Sequence, residues 1–321
     1  MAGMATGFIY DARFLDHDTR PSHPERPARL EAIVRELHTS GLWPRLTHLT
    51  FSPADDAVLE RVHDRSYIER VAAACARGDR FIDTPDSAIC PESDAIARLA
   101  AGGAVAAVDA VLTGQVANAF CAVRPPGHHA ERNLSMGFCL YNNIALAAEH
   151  AIQQHGLSRV AIVDFDVHHG NGTQHSFESR ADVLVINLHE HPDHQYPGTG
   201  YAHETGHGPG AGYTLNIPLL PGADDAAYRQ AFESQVLPKV QAYKPQLLLI
   251  SAGFDAAEAD PLGHMNVSTQ GFRWMAQQLV QAARECCDGR VVSLLEGGYD
   301  LGALAAGVAA HVGVLVEAGN S

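Results

Sequence analysis

The sequence predicts an α/β fold: a single domain over residues 1–321, with a central, mostly parallel sheet and helices on both faces. Strand-like apolar runs alternate with segments of helical periodicity from end to end. The runs are nearly continuous in apolar character, the pattern of strands buried on both faces. Each leads directly into polar or glycine-rich sequence, where open α/β sheets place their chemistry. No stretch rich in Gly, Ser or Pro marks a domain boundary, and no internal repeat is evident.

Residues 26–37 have the spacing of an amphipathic helix. Residues 93–111 are Ala-rich and helical, opened by a Ser-Asp cap signal. A short apolar strand, 119–123, is broken by Arg124-Pro125-Pro126-Gly127. Helix 142–155 precedes strand 159–163, and strand 183–188 follows. The loop 189–213, long and rich in Pro and Gly, reads as a functional rim. Helix 224–243, strand 247–251, helix Thr269–Cys287 and strand 291–295 complete the alternation.

Composition narrows the function classes. Hydrophobic residues make up 46% and charged residues 18%, enough apolar material for a core and no sign of disorder. The net charge of −15, from 37 acidic and 22 basic residues, is unsuited to neutralising phosphates, so no direct nucleic-acid binding is expected. The six cysteines form no Cys-X-X-Cys pair and read as reduced core thiols. The first ten residues lack the pattern of a signal peptide, and no apolar run of about 18 residues suggests a membrane span. A soluble, cytoplasmic setting is expected. Nothing in the sequence sets the oligomeric state.

The chemistry gathers in the loops that follow the strands. Along the extended backbone that ends strand 159–163, Asp164, Asp166 and His168 point the same way. Carboxylates with an imidazole suit a divalent transition metal. His128-His129 follow a proline-stiffened turn, placed to supply an acid and a base. Asp255 ends an apolar strand; alone it reads equally as a helix cap. Tyr299 follows Glu296-Gly297-Gly298; alone it reads as a packed core residue. Together they describe metal-assisted amide hydrolysis: Asp166, His168 and Asp255 as ligands, the histidine pair for proton transfer, and Tyr299 donating to the carbonyl oxygen.

The motifs 124–129, Ser135-Met136-Gly137-Phe138-Cys139, 164–172, 196–200, 253–263 and 296–299, in that order, resemble the histone deacetylase, acetoin-utilisation and acetylpolyamine amidohydrolase superfamily, of class II pattern. That resemblance implies the arginase/deacetylase-like fold with a sheet of about eight strands. It implies zinc on Asp166, His168 and Asp255, with Asp164 behind His128. Asn171 stands where class I members have an Asp, so His129 is favoured as general base and His128 as its charged partner. It further implies an inner potassium site at Asp164, Asp166, His168, Asn187 and Leu188, Asn187 replacing the usual Ser. An outer potassium site would use backbone carbonyls near Phe177, Arg180, Val183 and Tyr213. Phe138 and Tyr196 would flank an acyl-lysine stem, the Gly137 carbonyl would accept its amide proton, and Leu262 would stand at the gate. Arg26 resembles the arginine of the acetate exit. The implied substrate is acetyl-lysine in a protein or peptide. Alternatives are an acetylpolyamine, a longer acyl chain, or a silent acyl-lysine reader without turnover.

Overall fold

The computed structural model describes residues 4–20 and 22–320; residues 1–3, 21 and 321 lie outside it, including part of the stretch read above for a leader. The strands are β1 (Thr6–Ile9), β2 (Leu46–His48), β3 (Asn118–Cys121), β4 (Val160–Asp164), β5 (Val183–Glu190), β6 (Thr214–Leu219), β7 (Leu247–Ala252) and β8 (Val291–Leu295). They form one eight-stranded sheet in the order β2-β1-β3-β8-β7-β4-β5-β6. All pairings are parallel. In β3, β4, β5, β7 and β8 every residue is buried, which accounts for their unbroken apolar runs.

Three strands, β1, β2 and β6, had escaped the sequence reading. β1 and β2 are too short, at four and three residues, to carry a period. β6 is an edge strand, only partly buried, and contains Pro218, which an edge tolerates because one side of its backbone has no ladder to complete. The expected helix 224–243 is present as Asp225–Ala231 and Leu237–Tyr243, joined by a wider π turn over Phe232–Val236. Pro238 has no N–H to return to the preceding turn, and the backbone widens just before it.

Helices Ala28–Thr39, Ser93–Leu112, Asn143–His155, Thr269–Cys287 and Leu301–Gly319 cover the sheet. Asn142 caps its helix by accepting from the Ala145 N–H, and Gly156, at φ +67°, ends it in the left-handed conformation. Contrary to the sequence expectation, two helices, Ser93–Leu112 and Leu301–Gly319, are long and apolar enough to cross a membrane by length and composition alone. Each turns most of that surface inward, 67% and 61% buried, so core packing explains their character.

The sheet order gathers the chemical loops. β3, β8, β7 and β4 are neighbours, so their carboxyl ends bring together segments that are far apart in sequence. In register, Cys121 lies beside Leu294, Ala252 beside Leu295, and Asp164 beside both Ser251 and Asn187.

Below them His311 is fully buried against Phe120, Phe165 and Phe254, and neither ring nitrogen has a hydrogen-bond partner among the described residues. Burial lowers its pKa to about 4. The unfolded chain, with an ordinary histidine near ~6.5, takes up a proton that the fold rejects, so stability falls as pH drops from that value toward the folded pKa. Replacing His311 with Leu is expected to remove about 2 kcal/mol of the stability lost between about pH 7 and about pH 5. Urea unfolding at both pH values checks this; equal pH dependence in the two proteins would refute it.

Candidate active site

The loop after β3 is anchored before it reaches its histidines. Arg124 is fully buried and donates to Glu25 at 2.5 and 2.8 Å and to the carbonyl oxygens of Phe14 and His17. At the next step, Glu296 Oε2 accepts the Gly127 and His128 N–H groups, and Oε1 accepts the Ser251 hydroxyl. One buried carboxylate thus pins the loops after β3 and β8 to the end of β7.

His128 and His129 then stand side by side, their ring centroids 4.0 Å apart. His128 Nδ1 is 2.9 Å from Asp164 Oδ2, and His129 Nδ1 is 2.7 Å from Asn171 Oδ1. Burial pulls the His128 pKa down, but the Asp164 and Asp166 carboxylates outweigh it and push it up to about 10. His129 moves the other way, well below the ordinary value, through burial and the charges of His128 and His168. The pair is therefore split into a cation and a neutral base.

His168 Nδ1 lies 3.0 Å from Asp166 Oδ1 and 3.1 Å from Asp255 Oδ2, and the donor atoms of the trio lie within 4.8 Å of one another. The expected ligands converge. A carboxylate–carboxylate–imidazole set fits a zinc ion in charge and donor type. The backbone fits it too: a Cβ on Gly297 would lie 2.0 Å from Asp255 Oδ2, and one on Gly253 2.1 Å from Asp166 Oδ2. Gly297 N–H and Val167 N–H donate to the outer oxygens of Asp166 and Asp255, which holds the carboxylates in place.

Among the described residues, one other group has ligand spacing: Asp109, His150 and His155. There Arg61 donates to His150 Nδ1, leaving His150 Nε2 as an N–H turned on Asp109. That protonation leaves His150 no lone pair for a metal.

A cavity of about 220 Å³ reaches His168 of the trio and is lined by Asp86, His129, Gly137, Phe138, His168, Gln195, Tyr196, Leu262 and Tyr299. A larger groove of about 440 Å³, beside Arg159 and Lys239, contains none of the expected catalytic residues. Phe138 meets Tyr299 edge-on at 5.8 Å, and Tyr196 meets His129 edge-on at 5.2 Å, so aromatic rings border the cavity. Gly137 has φ +56°, and a Cβ there would lie 2.2 Å from the His129 ring. Burial and the Asp255 charge hold the Tyr299 phenol well above its ordinary pKa, so it stays a donor.

The expectation for Arg26 is corrected. Arg26 is half-buried ahead of the helix Ala28–Thr39. One helical turn on, Arg29 is fully buried, donates to the Gly298 and Glu296 carbonyl oxygens at 2.6 Å, and lies 5.0 Å over the Tyr299 ring. Both arginines precede an apolar stretch, and local sequence does not separate them. Sequence reasoning also missed Asp86, whose Oδ2 accepts the Gly137 N–H while Oδ1 has no hydrogen-bond partner among the described residues. It missed Asp260, which accepts the Tyr299 N–H at 2.6 Å and the Leu262 N–H at 3.0 Å, tying the gate to the phenol.

A family profile described as "Histone deacetylase domain" matches residues 23–315. The chain belongs to the histone deacetylase family. It is 44% identical over 278 residues to a histone deacetylase-like amidohydrolase of Pseudomonas aeruginosa, covering 86% of this chain and 72% of that one. It is 40% identical to a probable deacetylase of Archaeoglobus fulgidus, covering 93% and 82%. The crystal structure of the HDA15 HD domain superposes with a TM-score of 0.94 at 41% identity, covering 99% of this chain and 91% of that one. The expected arginase/deacetylase-like fold is thereby shown.

Within this deacetylase family, the remaining expected positions fall in two places. Asn187 and Leu188 lie on β5, Asn187 in register with Asp164. Phe177, Arg180, Val183 and Tyr213 lie at the opposite, amino ends of β5 and β6; the turn after Phe177 packs on Gly210, near Tyr213.

Both Asp255→Ala and Gly297→Ala are expected to abolish stoichiometric zinc binding, the second because its methyl group occupies the space of Asp255 Oδ2. Metal analysis after dialysis checks this, and a fully loaded Asp255→Ala protein would contradict the ligand assignment.

Proposed function

We propose that the protein hydrolyses the amide of N6-acetyl-lysine in proteins or peptides, releasing acetate and lysine. The observation that carries this reading is the split histidine pair facing the ligand trio at the foot of a narrow, aromatic-lined cavity. Zinc held by Asp166, His168 and Asp255 would supply Lewis acidity to the acyl carbonyl oxygen and to a water molecule. His129, neutral, takes the proton of the attacking water and returns it to the departing amine. His128, protonated against Asp164, sits beside it as a fixed positive charge. Tyr299 donates its hydroxyl hydrogen to the carbonyl oxygen as negative charge builds there.

The stem of the acyl-lysine lies between Phe138 and Tyr196, and its amide proton meets the Gly137 carbonyl. Asp86 stands at the wall of the cavity, where its carboxylate holds the Gly137 N–H. Arg29, rather than Arg26, backs the cavity where acetate would leave. Leu262 at the gate carries no charge to attract a polyamine's distal ammonium, which favours a peptide substrate over an acetylpolyamine.

Potassium at the inner site is part of the same proposal. Asn187 Oδ1 is buried without a hydrogen-bond partner among the described residues, because its Nδ2 is turned to Asn216. A Cβ on Gly170 would lie 2.4 Å from Asp164 Oδ2 and 3.1 Å from Asn187 Oδ1, so both oxygens face one small space. For an outer site, the Phe177 and Tyr213 carbonyls each accept one backbone N–H and keep a second lone pair. The six free thiols support a reducing, cytoplasmic setting.

Turnover of an acetyl-lysine peptide against an acetylated polyamine, with and without chelator, tests the proposal. Chelator-sensitive peptide turnover supports it; peptide binding without turnover would favour a silent reader. Tyr299→Phe is expected to lower kcat by roughly 10²–10³-fold with zinc content unchanged; near-native turnover would remove Tyr299 from the mechanism. Leu262→Glu is expected to shift the ratio of kcat/KM toward acetylpolyamines, and an unmoved ratio would place the gate elsewhere.

A further inference from the structure

Asn171 occupies the position where a carboxylate would orient His129, and its amide is held at both ends. Its Oδ1 lies 2.7 Å from His129 Nδ1. Its Nδ2 faces acceptors: Glu131 Oε1 at 2.5 Å, the His129 carbonyl oxygen at 3.3 Å and Met136 Sδ at 3.4 Å. A carboxylate only accepts and an amide nitrogen only donates. Rotating the amide by half a turn would set Asn171 Oδ1 against Glu131 Oε1, oxygen to oxygen. Glu131 therefore dictates which end of the amide His129 meets. Facing an oxygen, His129 Nδ1 must carry the ring proton, which leaves the lone pair on Nε2.

Glu131 is itself held. Oε1 also accepts from His175 Nδ1 at 2.8 Å, and the Glu131 N–H donates to the Leu134 carbonyl oxygen. The Glu131 side chain is 18% exposed and His175 45% exposed, and both line a cavity of about 320 Å³ that opens behind the active site. Hydrogen bonding to Glu131 raises the His175 pKa, which favours a cation on the far side of the carboxylate.

We propose that Glu131 is a positioning residue that sets the tautomer of His129 through Asn171, with His175 holding Glu131 in place from the surface. Glu131 thus does through an amide what a direct carboxylate partner does by contact. The inference rests on His129 acting as the base in the proposed deacylation.

Double-variant coupling and a tautomer measurement test it together. Asn171→Asp sets a second carboxylate against Glu131 and is expected to lower kcat at least tenfold. Adding Glu131→Gln supplies an amide N–H to that new carboxylate, and the double variant is expected to regain at least tenfold over Asn171→Asp alone. Glu131→Leu, with no acceptor, is expected to lower kcat about tenfold with KM and zinc content within twofold of wild type. Histidine 15N NMR is expected to show His129 protonated at Nδ1 in the wild type and a mixture of tautomers in Glu131→Leu. Equal rates for Asn171→Asp and the double variant, or an unchanged tautomer in Glu131→Leu, would overturn the inference. If the wild type turns over no acetylated probe, the deacylase reading fails, while the NMR comparison still decides the role of Glu131.

Discussion

Asp164, Asp166, Asp255 and Glu296 are buried together at the carboxyl ends of adjacent strands, and the surrounding structure is arranged around keeping them there. Burying an ionised carboxylate costs several kcal/mol unless it is paired and hydrogen-bonded. Each of these has its compensation. His128 carries positive charge against Asp164, and Gly297, Val167, Gly127 and His128 direct backbone N–H groups at oxygens of Asp166, Asp255 and Glu296. The ligand trio is what this crowd of negative charge leaves available to a divalent cation. The glycines follow from the same crowding, since a methyl group at Gly253 or Gly297 would occupy the space of an aspartate oxygen.

A second buried network supports the first from behind. Glu25 lies between Arg124 and Arg29, all three without solvent exposure, and the two guanidinium groups hold its carboxyl down at about 2 against the opposing effect of burial. Arg124 belongs to the loop that presents the histidine pair, and Arg29 reaches the carbonyls of Glu296 and Gly298. One glutamate near the amino end of the chain therefore joins the histidine-bearing loop to the tyrosine-bearing loop. Arg29 also places its charge over the Tyr299 ring, so the same network that steadies the loops contributes to the field around the phenol.

The candidate ligands, the histidine pair and Tyr299 were legible because each follows a strongly patterned strand and sits in a motif with little local alternative. Asp164, Asp166 and His168 stand two residues apart, and the strand alternation expected of them stops at Asp164; beyond it a bend, in which the Asp164 and Asp166 carboxylates accept the N–H two residues on, carries Asp166 and His168. Arg29, Asp86, Asp260 and Glu131 were not legible. Each acts on a partner from another part of the chain: Arg29 on Gly298, Asp86 on Gly137, Asp260 on Tyr299, and Glu131 on Asn171. Nothing in the neighbouring sequence distinguishes Arg29 from Arg26. Strands β1 and β2 were missed for want of length, and β6 because an edge strand that admits Pro218 loses the apolar signature of the central strands.

Local pattern was thus enough for the alternation of strand and helix, for the ligand types, and for the motifs that announce the family, because those depend on periodicity and on residues close in the chain. The order β3-β8-β7-β4, the choice of Arg29, and the direction in which the Asn171 amide points were settled only by folding. Those features depend on contacts across long separations, where one hydrogen bond or one ångström of clearance selects among arrangements that the local sequence permits equally.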